Sequence, residues 1–184
     1  MPAMAETPPA PEGWRAYARE IRFLAIFVAI LAGGFTLLSL NAVNDAVIVP
    51  FTAGVARASG AVLRAIDPAV TMEGTVIRSP DFAVNIENGC NGVEAMIIFL
   101  AAVLAFPARW TARLAGLAIG VVAIQAVNLV RVVVLFLTGV HFPGFFDSSH
   151  TVVWQTVVIL AAVLLWIFWA QRFAVPRQAP AGAE

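Results

Sequence analysis

The chain has 184 residues, of which 61% are hydrophobic and 12% charged, and its mean hydropathy is +0.89. A soluble domain carries about 45–50% apolar and about 25% charged residues, so most of this chain belongs in lipid. Formal net charge is zero, which leaves no electrostatic footprint for nucleic acid. No cluster of Cys and His with metal-ligand spacing appears, nor a phosphate-cradling Gly loop or a dinucleotide motif, so no cofactor and no metal are expected.

Met1–Glu12, rich in Pro, Ala and Glu, reads as a disordered tail. Arg15, Arg19 and Arg22 precede the apolar run Phe23–Ala42, which has the roughly 20 residues a helix needs to cross the hydrocarbon core. It exceeds the usual h-region of about 7–15 residues and no A-x-A site follows, which favours a retained helix over a cleaved signal. In Asp45–Ile66, Phe51, Val55, Val62 and Ile66 share one helical face, and Arg57 and Arg64 lie on another. Pro50 interrupts the start, and two charges at mid-depth would be costly in a span. An amphipathic helix lying at the interface is predicted.

Asp67–Gly89 reads as extended. Phe82, Val84 and Ile86 alternate with Ala83, Asn85 and Glu87, and Ser79-Pro80-Asp81 supplies a turn after Thr75–Arg78. A small extracytoplasmic hairpin is predicted. Gly92–Phe106, Leu114–Val140 and Thr151–Gln171 are then spans two, three and four. The fold class is an all-α membrane protein: about four transmembrane helices, an interfacial helix and the hairpin. Small residues in span three (Ala115, Gly116, Ala118, Gly120) and the Gly33-Gly34 pair read as helix-packing positions.

Orientation follows from the Arg residues. Four spans put Arg15, Arg19, Arg22, Arg109, Arg113, Arg172 and Arg177 on one side and Arg57, Arg64 and Arg78 on the other. That asymmetry places both termini in the cytoplasm of a bacterial inner membrane, and places Cys90, His141 and His150 outside.

Cys90 is the only cysteine, so it cannot form an intrachain disulfide. In Asn88-Gly89-Cys90-Asn91-Gly92-Val93-Glu94, Asn91 and Glu94 have capping-box spacing for the start of span two. A helix N-terminus favours an anion, so a thiolate at Cys90 should have a lowered pKa. The competing reading is a capped helix with an incidental cysteine, since cysteine often serves as a small buried hydrophobe. Arg131 sits about nine residues inside span three, ~13 Å deep, where a charge points to function by default. Snorkelling would explain one Arg, but not the polar face it shares with Asn128 and Thr138, with Gln125 at its edge. His150 follows Asp147-Ser148-Ser149 at the start of span four, level with Cys90; His141 is the rival base. Cys as nucleophile, His as base and Arg as a fixed cation for an oxyanion make a coherent acyl-transfer set.

At these residues the chain resembles the exosortase/archaeosortase family, and most nearly the exosortase H subgroup. The match lies in Asn-Gly-Cys-Asn-Gly-Val-Glu at 88–94, Asn-Leu-Val-Arg-Val at 128–132 and Ser-His-Thr-Val-Val-Trp-Gln at 149–155. The resemblance implies a cysteine transpeptidase or protease acting on exported proteins with a C-terminal sorting signal: a short motif, a hydrophobic helix and a basic tail. It implies Cys90 as nucleophile, Arg131 as stabiliser and His150 as base, with Asn91, Glu94 and Asn128 in support. Its expected partners are those exported proteins, the lipid bilayer and an acceptor that the sequence does not identify. Domain limits follow as a tail at 1–14, a membrane-embedded exosortase-like domain at 15–172 and a tail at 173–184. The hairpin is expected to pair with the substrate motif by strand addition. The rival function is a non-enzymatic membrane subunit or transporter component using Arg131 as counter-ion.

Overall fold

The computed structural model describes residues 17–146 and 153–174. The elements are helices α1 (Ala18–Leu38) and α2 (Asn41–Ile66), strands β1 (Thr71–Glu73), β2 (Val76–Arg78) and β3 (Ala83–Asn85), and helices α3 (Val93–Ala105), α4 (Trp110–His141) and α5 (Trp154–Ala174). A 3-10 turn, Pro143–Phe145, follows α4.

Among the described residues, four helices are long and apolar enough to cross a bilayer: α1, α2, α4 and α5. The number agrees with the sequence reading, but one member differs. The predicted second span becomes α3, which has 13 residues and rises only ~20 Å. Phe106 leaves it in an extended conformation just before Pro107, as a pre-proline residue favours. Even so, α3 is the helix around which α1, α4 and α5 pack.

Small residues set the helix spacing. A Cβ at Gly34 would lie 2.7 Å from Ile97, one at Gly120 would strike the Phe99 ring, and one at Gly116 would strike the Trp169 indole. Close backbone approach is the usual basis of helix association in lipid, where no hydrophobic force draws helices together. Gly33 has nothing within 4 Å and Ala118 is exposed, so those two predicted packing positions do not pack. Phe99, Val103, Ile124, Trp169 and Ala170 form this bundle's core. At one end Phe23, Phe106, Trp166 and Trp169 cluster, with Phe106 edge-on to the other three, and Trp169 Nε1 donates to the Ala112 carbonyl at 2.8 Å.

A second core lies beyond the N-terminus of α3. Ala56 and Leu63 of α2, Val70, Ile77 and Ile86 of the sheet segment, and Val132 and Phe136 of α4 are buried together. The strands pair antiparallel in the order β1-β2-β3, with Ile77 opposite both Met72 and Val84. The expected hairpin is therefore β2–β3. β1 is an added strand, joined by a turn at Gly74, whose φ is +59°. Ser79 closes the β2–β3 turn on Phe82, and the Phe82 ring packs edge-on against Phe136 at 5.6 Å.

Two expectations for α2 are corrected. The helix does not break at Pro50; it runs through it, because a π turn at Asn44–Ile48 comes first and widens the backbone where proline supplies no N–H. The buried stripe is Thr52, Ala56, Ser59, Gly60 and Leu63, not the larger Phe51, Val55, Val62 and Ile66. Small side chains win that face because Met72 lies directly against Gly60. Arg57 and Arg64 are exposed, as expected.

Replacing Gly120 by Leu should force α3 and α4 apart and lower thermal stability in detergent by about 1–3 kcal/mol, the range for overpacking. Gly33→Leu should leave the melting temperature unchanged, and equal losses at both sites would contradict this packing.

Candidate active site

The turn Glu87–Gly92 carries Cys90 from the sheet into α3. Its shape needs glycine at two places, with φ of +88° at Gly89 and +81° at Gly92. A Cβ at Gly92 would also lie 2.9 Å from Gln125 Nε2 and 3.1 Å from Asn128 Cγ. The turn thus rests on the polar face of α4.

Asn91 is fully buried and anchors the turn. Its Oδ1 accepts from the Val93 N–H at 3.0 Å, and its Nδ2 donates to Thr52 Oγ1 at 2.9 Å. Its carbonyl accepts from Gln125 Nε2 at 3.2 Å. The capping box is therefore shifted from its predicted register. Gly92, in the left-handed conformation, is the residue that caps α3, and Asn91 serves the first helical N–H from one position earlier. Glu94 reaches back to the Gly89 N–H at 2.8 Å. Asn88 Nδ2 donates to Asn44 Oδ1 at 3.0 Å, so the π turn of α2 also braces the cysteine loop.

Arg131 is 3% exposed. Its Nη1 donates to the Gly89 carbonyl at 3.2 Å, and its Nη2 lies 3.7 Å from Cys90 Sγ. The expected meeting of Cys90 and Arg131, separated by 41 positions in the chain, is thus present. The sheet, α2 and the last turns of α4 surround this level. Depth measured from the end of α4 is therefore not depth in lipid.

Thr138 spends its hydroxyl on the Val134 carbonyl and takes no part. His141 ends α4, ten residues and ~15 Å of helix beyond Arg131, which removes it from the cysteine. His150 lies outside the described residues. Thr52 and Gln125 are the positioning residues that sequence reasoning undervalued. Gln125 sat at the edge of the polar face, whereas Thr52 had no signal beyond being polar within a stripe of small residues.

The lowered thiol pKa is also corrected. Burial pushes the Cys90 thiol up, the Arg131 guanidinium draws it down, and Glu94 and Glu87 push it further up. Desolvation of the thiolate outweighs the nearby cation in this resting arrangement.

Comparison with known proteins decides the family. The model of the transmembrane exosortases (Exosortase_EpsH) matches residues 11–169. The chain belongs to this family. No curated protein and no solved structure matches it. Membership supports a role as a membrane sorting transpeptidase, and in this exosortase the cysteine and the buried arginine are in contact.

Because the thiolate is the reactive form, alkylation of Cys90 by iodoacetamide should rise with pH, with a midpoint above the ordinary thiol value of about 8.5. Glu94→Gln keeps the acceptor for Gly89 but removes a negative charge, so the midpoint should fall and the neutral-pH rate rise several-fold. Arg131→Gln should do the reverse. Rates indifferent to both changes would refute this balance.

Proposed function

We propose that this exosortase is a membrane-embedded cysteine transpeptidase or protease that cleaves C-terminal sorting signals of exported proteins and passes the new carboxyl end to an acceptor. The observation that carries the reading is the contact between Cys90 Sγ and the guanidinium of Arg131 at 3.7 Å. A buried cation beside a thiol suits a centre where negative charge develops, first on sulfur and then on the carbonyl oxygen. The same groups serve a counter-ion role less well, because Arg131 is engaged by the cysteine loop itself.

In the proposed reaction the thiol proton passes to a base, for which the motif at 149–155 supports His150. The Cys90 thiolate adds to the scissile carbonyl, forming a C–S bond and moving the carbonyl π pair onto oxygen beside Arg131. Collapse restores the carbonyl and expels the amine, which receives the proton from the base. The resulting thioester yields to an acceptor nucleophile, or to water. The orientation that fits has both termini inside and the cysteine loop outside, with α1, α3, α4 and α5 crossing and α2 packed on the C-terminal half of α4. Arg19, Arg22, Arg109, Arg113 and Arg172 lie at the aromatic end of the bundle, away from Cys90.

A substrate must present its motif extended at this loop. β3 lies at the sheet edge and runs into the Cys90 turn. Bonds from Ile86 N–H to Thr75 and from Ser79 N–H to Phe82 commit alternate residues to β2. By that alternation Ala83 and Asn85 turn their backbone groups to the open edge, which suits strand addition.

Processing of a tagged exported protein tests the reading. Cys90→Ala should abolish it with membrane insertion intact, and no thioester should form. Arg131→Ala should lower the rate by about 10²–10³-fold. His150→Ala should also stop the reaction, whereas His141→Ala should not. Survival of processing in Cys90→Ala would end the thiol mechanism.

Ala83→Pro removes one outward N–H while leaving the β2 ladder intact. It should raise KM several-fold with little change in kcat. An unaltered KM would count against strand addition.

A further inference from the structure

Three polar residues of α4 lie one turn apart beneath the cysteine turn: Gln125, Asn128 and Arg131. Two of them are engaged there. Gln125 holds the Asn91 carbonyl, and Arg131 holds the Gly89 carbonyl and the thiol. Asn128 is fully buried, with no measurable exposure. Neither its Nδ2 nor its Oδ1 has a partner among the described residues, and Arg131 Nε is in the same condition. Buried amides are ordinarily satisfied, and one that is not calls for an explanation.

We infer that Asn128 is a second oxyanion donor, acting with Arg131 on the carbonyl that Cys90 attacks. This rests on the acyl-transfer reading above. In the resting structure the position beside Arg131 is filled by a peptide carbonyl of the protein itself, that of Gly89, at 3.2 Å. Gly89 and Gly92, both at positive φ, bracket the short segment that covers Asn128. When a substrate carbonyl replaces that of Gly89, the segment lifts and uncovers Asn128 and Arg131 together. As the thiolate adds, the π pair moves to the substrate oxygen. That oxyanion accepts hydrogen bonds from Asn128 Nδ2 and from the guanidinium, while Asn128 Oδ1 accepts a backbone N–H of the substrate. A side chain without a partner among the described residues at rest is thereby satisfied in the reacting complex. That is the differential binding that accelerates a step.

The test uses the full-length protein in membranes. The probe is a reporter taken from proteins exported by the same cell, ending in a motif, a hydrophobic helix and an Arg-rich tail. Asn128→Leu and Asn128→Asp are compared with wild type and with Cys90→Ala. Both Asn128 variants should lose about 10²-fold or more in the single-turnover rate of thioester formation, with KM nearly unchanged, as for loss of one oxyanion donor. The melting temperature of Asn128→Leu should equal or exceed that of wild type, since an apolar residue replaces unsatisfied polar atoms. Cys90 alkylation should stay within twofold of wild type in Asn128→Leu, which adds no charge. A purely structural asparagine would instead lower the melting temperature and alter alkylation along with activity. If Asn128→Leu fails to fold, Asn128→Asp decides, because it keeps the shape but exchanges the donor for an acceptor. Wild-type rates in either folded variant overturn the inference. If Cys90→Ala is inactive in the same assay, the thiol reading survives that result; if Cys90→Ala is active, the thiol reading itself has failed.

Discussion

A single buried guanidinium organises this molecule. Arg131 sits in an interior that would penalise an isolated cation heavily, and it is stabilised by a peptide carbonyl and a thiol brought to it by the turn Glu87–Gly92. The turn keeps that shape because Gly89 and Gly92 adopt conformations other residues avoid. Asn91 ties the same turn to α2, α3 and α4 at once. Sulfur and cation are thus fixed to rigid elements on every side, which a reaction needing near-contact geometry requires.

The site lies at the seam between two kinds of packing. On one side, glycines bring α3 and α4 close enough for Phe99 and Trp169 to fill the gaps. On the other, α2 and a three-stranded sheet cover the far half of α4 with an aliphatic and aromatic core. Polar residues that would be costly in either core gather where the two meet. The shortness of α3 has the same consequence. At ~20 Å against a hydrocarbon thickness of about 30 Å, α3 is too short to carry Cys90 to the edge of the full apolar layer.

The resting centre is not primed for attack. Burial and two carboxylates oppose ionisation of Cys90, and Arg131 favours it. A thiol held in its neutral form resists oxidation and adventitious acylation.

Much of this was legible in the sequence because it depends on composition and local spacing. Long apolar runs announced the membrane. Strand alternation at Phe82–Ile86 and the Ser79-Pro80-Asp81 turn announced the hairpin. An arginine within an apolar run marked the polar face, since a charge there is too costly to be idle. Periodicity did not reveal which face of α2 is buried. The stripe of Thr52, Ala56, Ser59 and Leu63 is selected by closeness of approach, a property of the partner surface. Nor could local pattern anticipate that Pro50 would be absorbed by a π turn, or that α3 would be capped one residue later than its capping box suggested. The sequence alone determined a membrane protein with a cysteine, an arginine and a hairpin. Only the tertiary structure decided that the cysteine and arginine touch, that Asn91 rather than Glu94 carries the turn, and that the thiol is held neutral. Contacts across 41 positions and the desolvation of a sulfur atom are set by what surrounds a residue, not by what adjoins it in the chain.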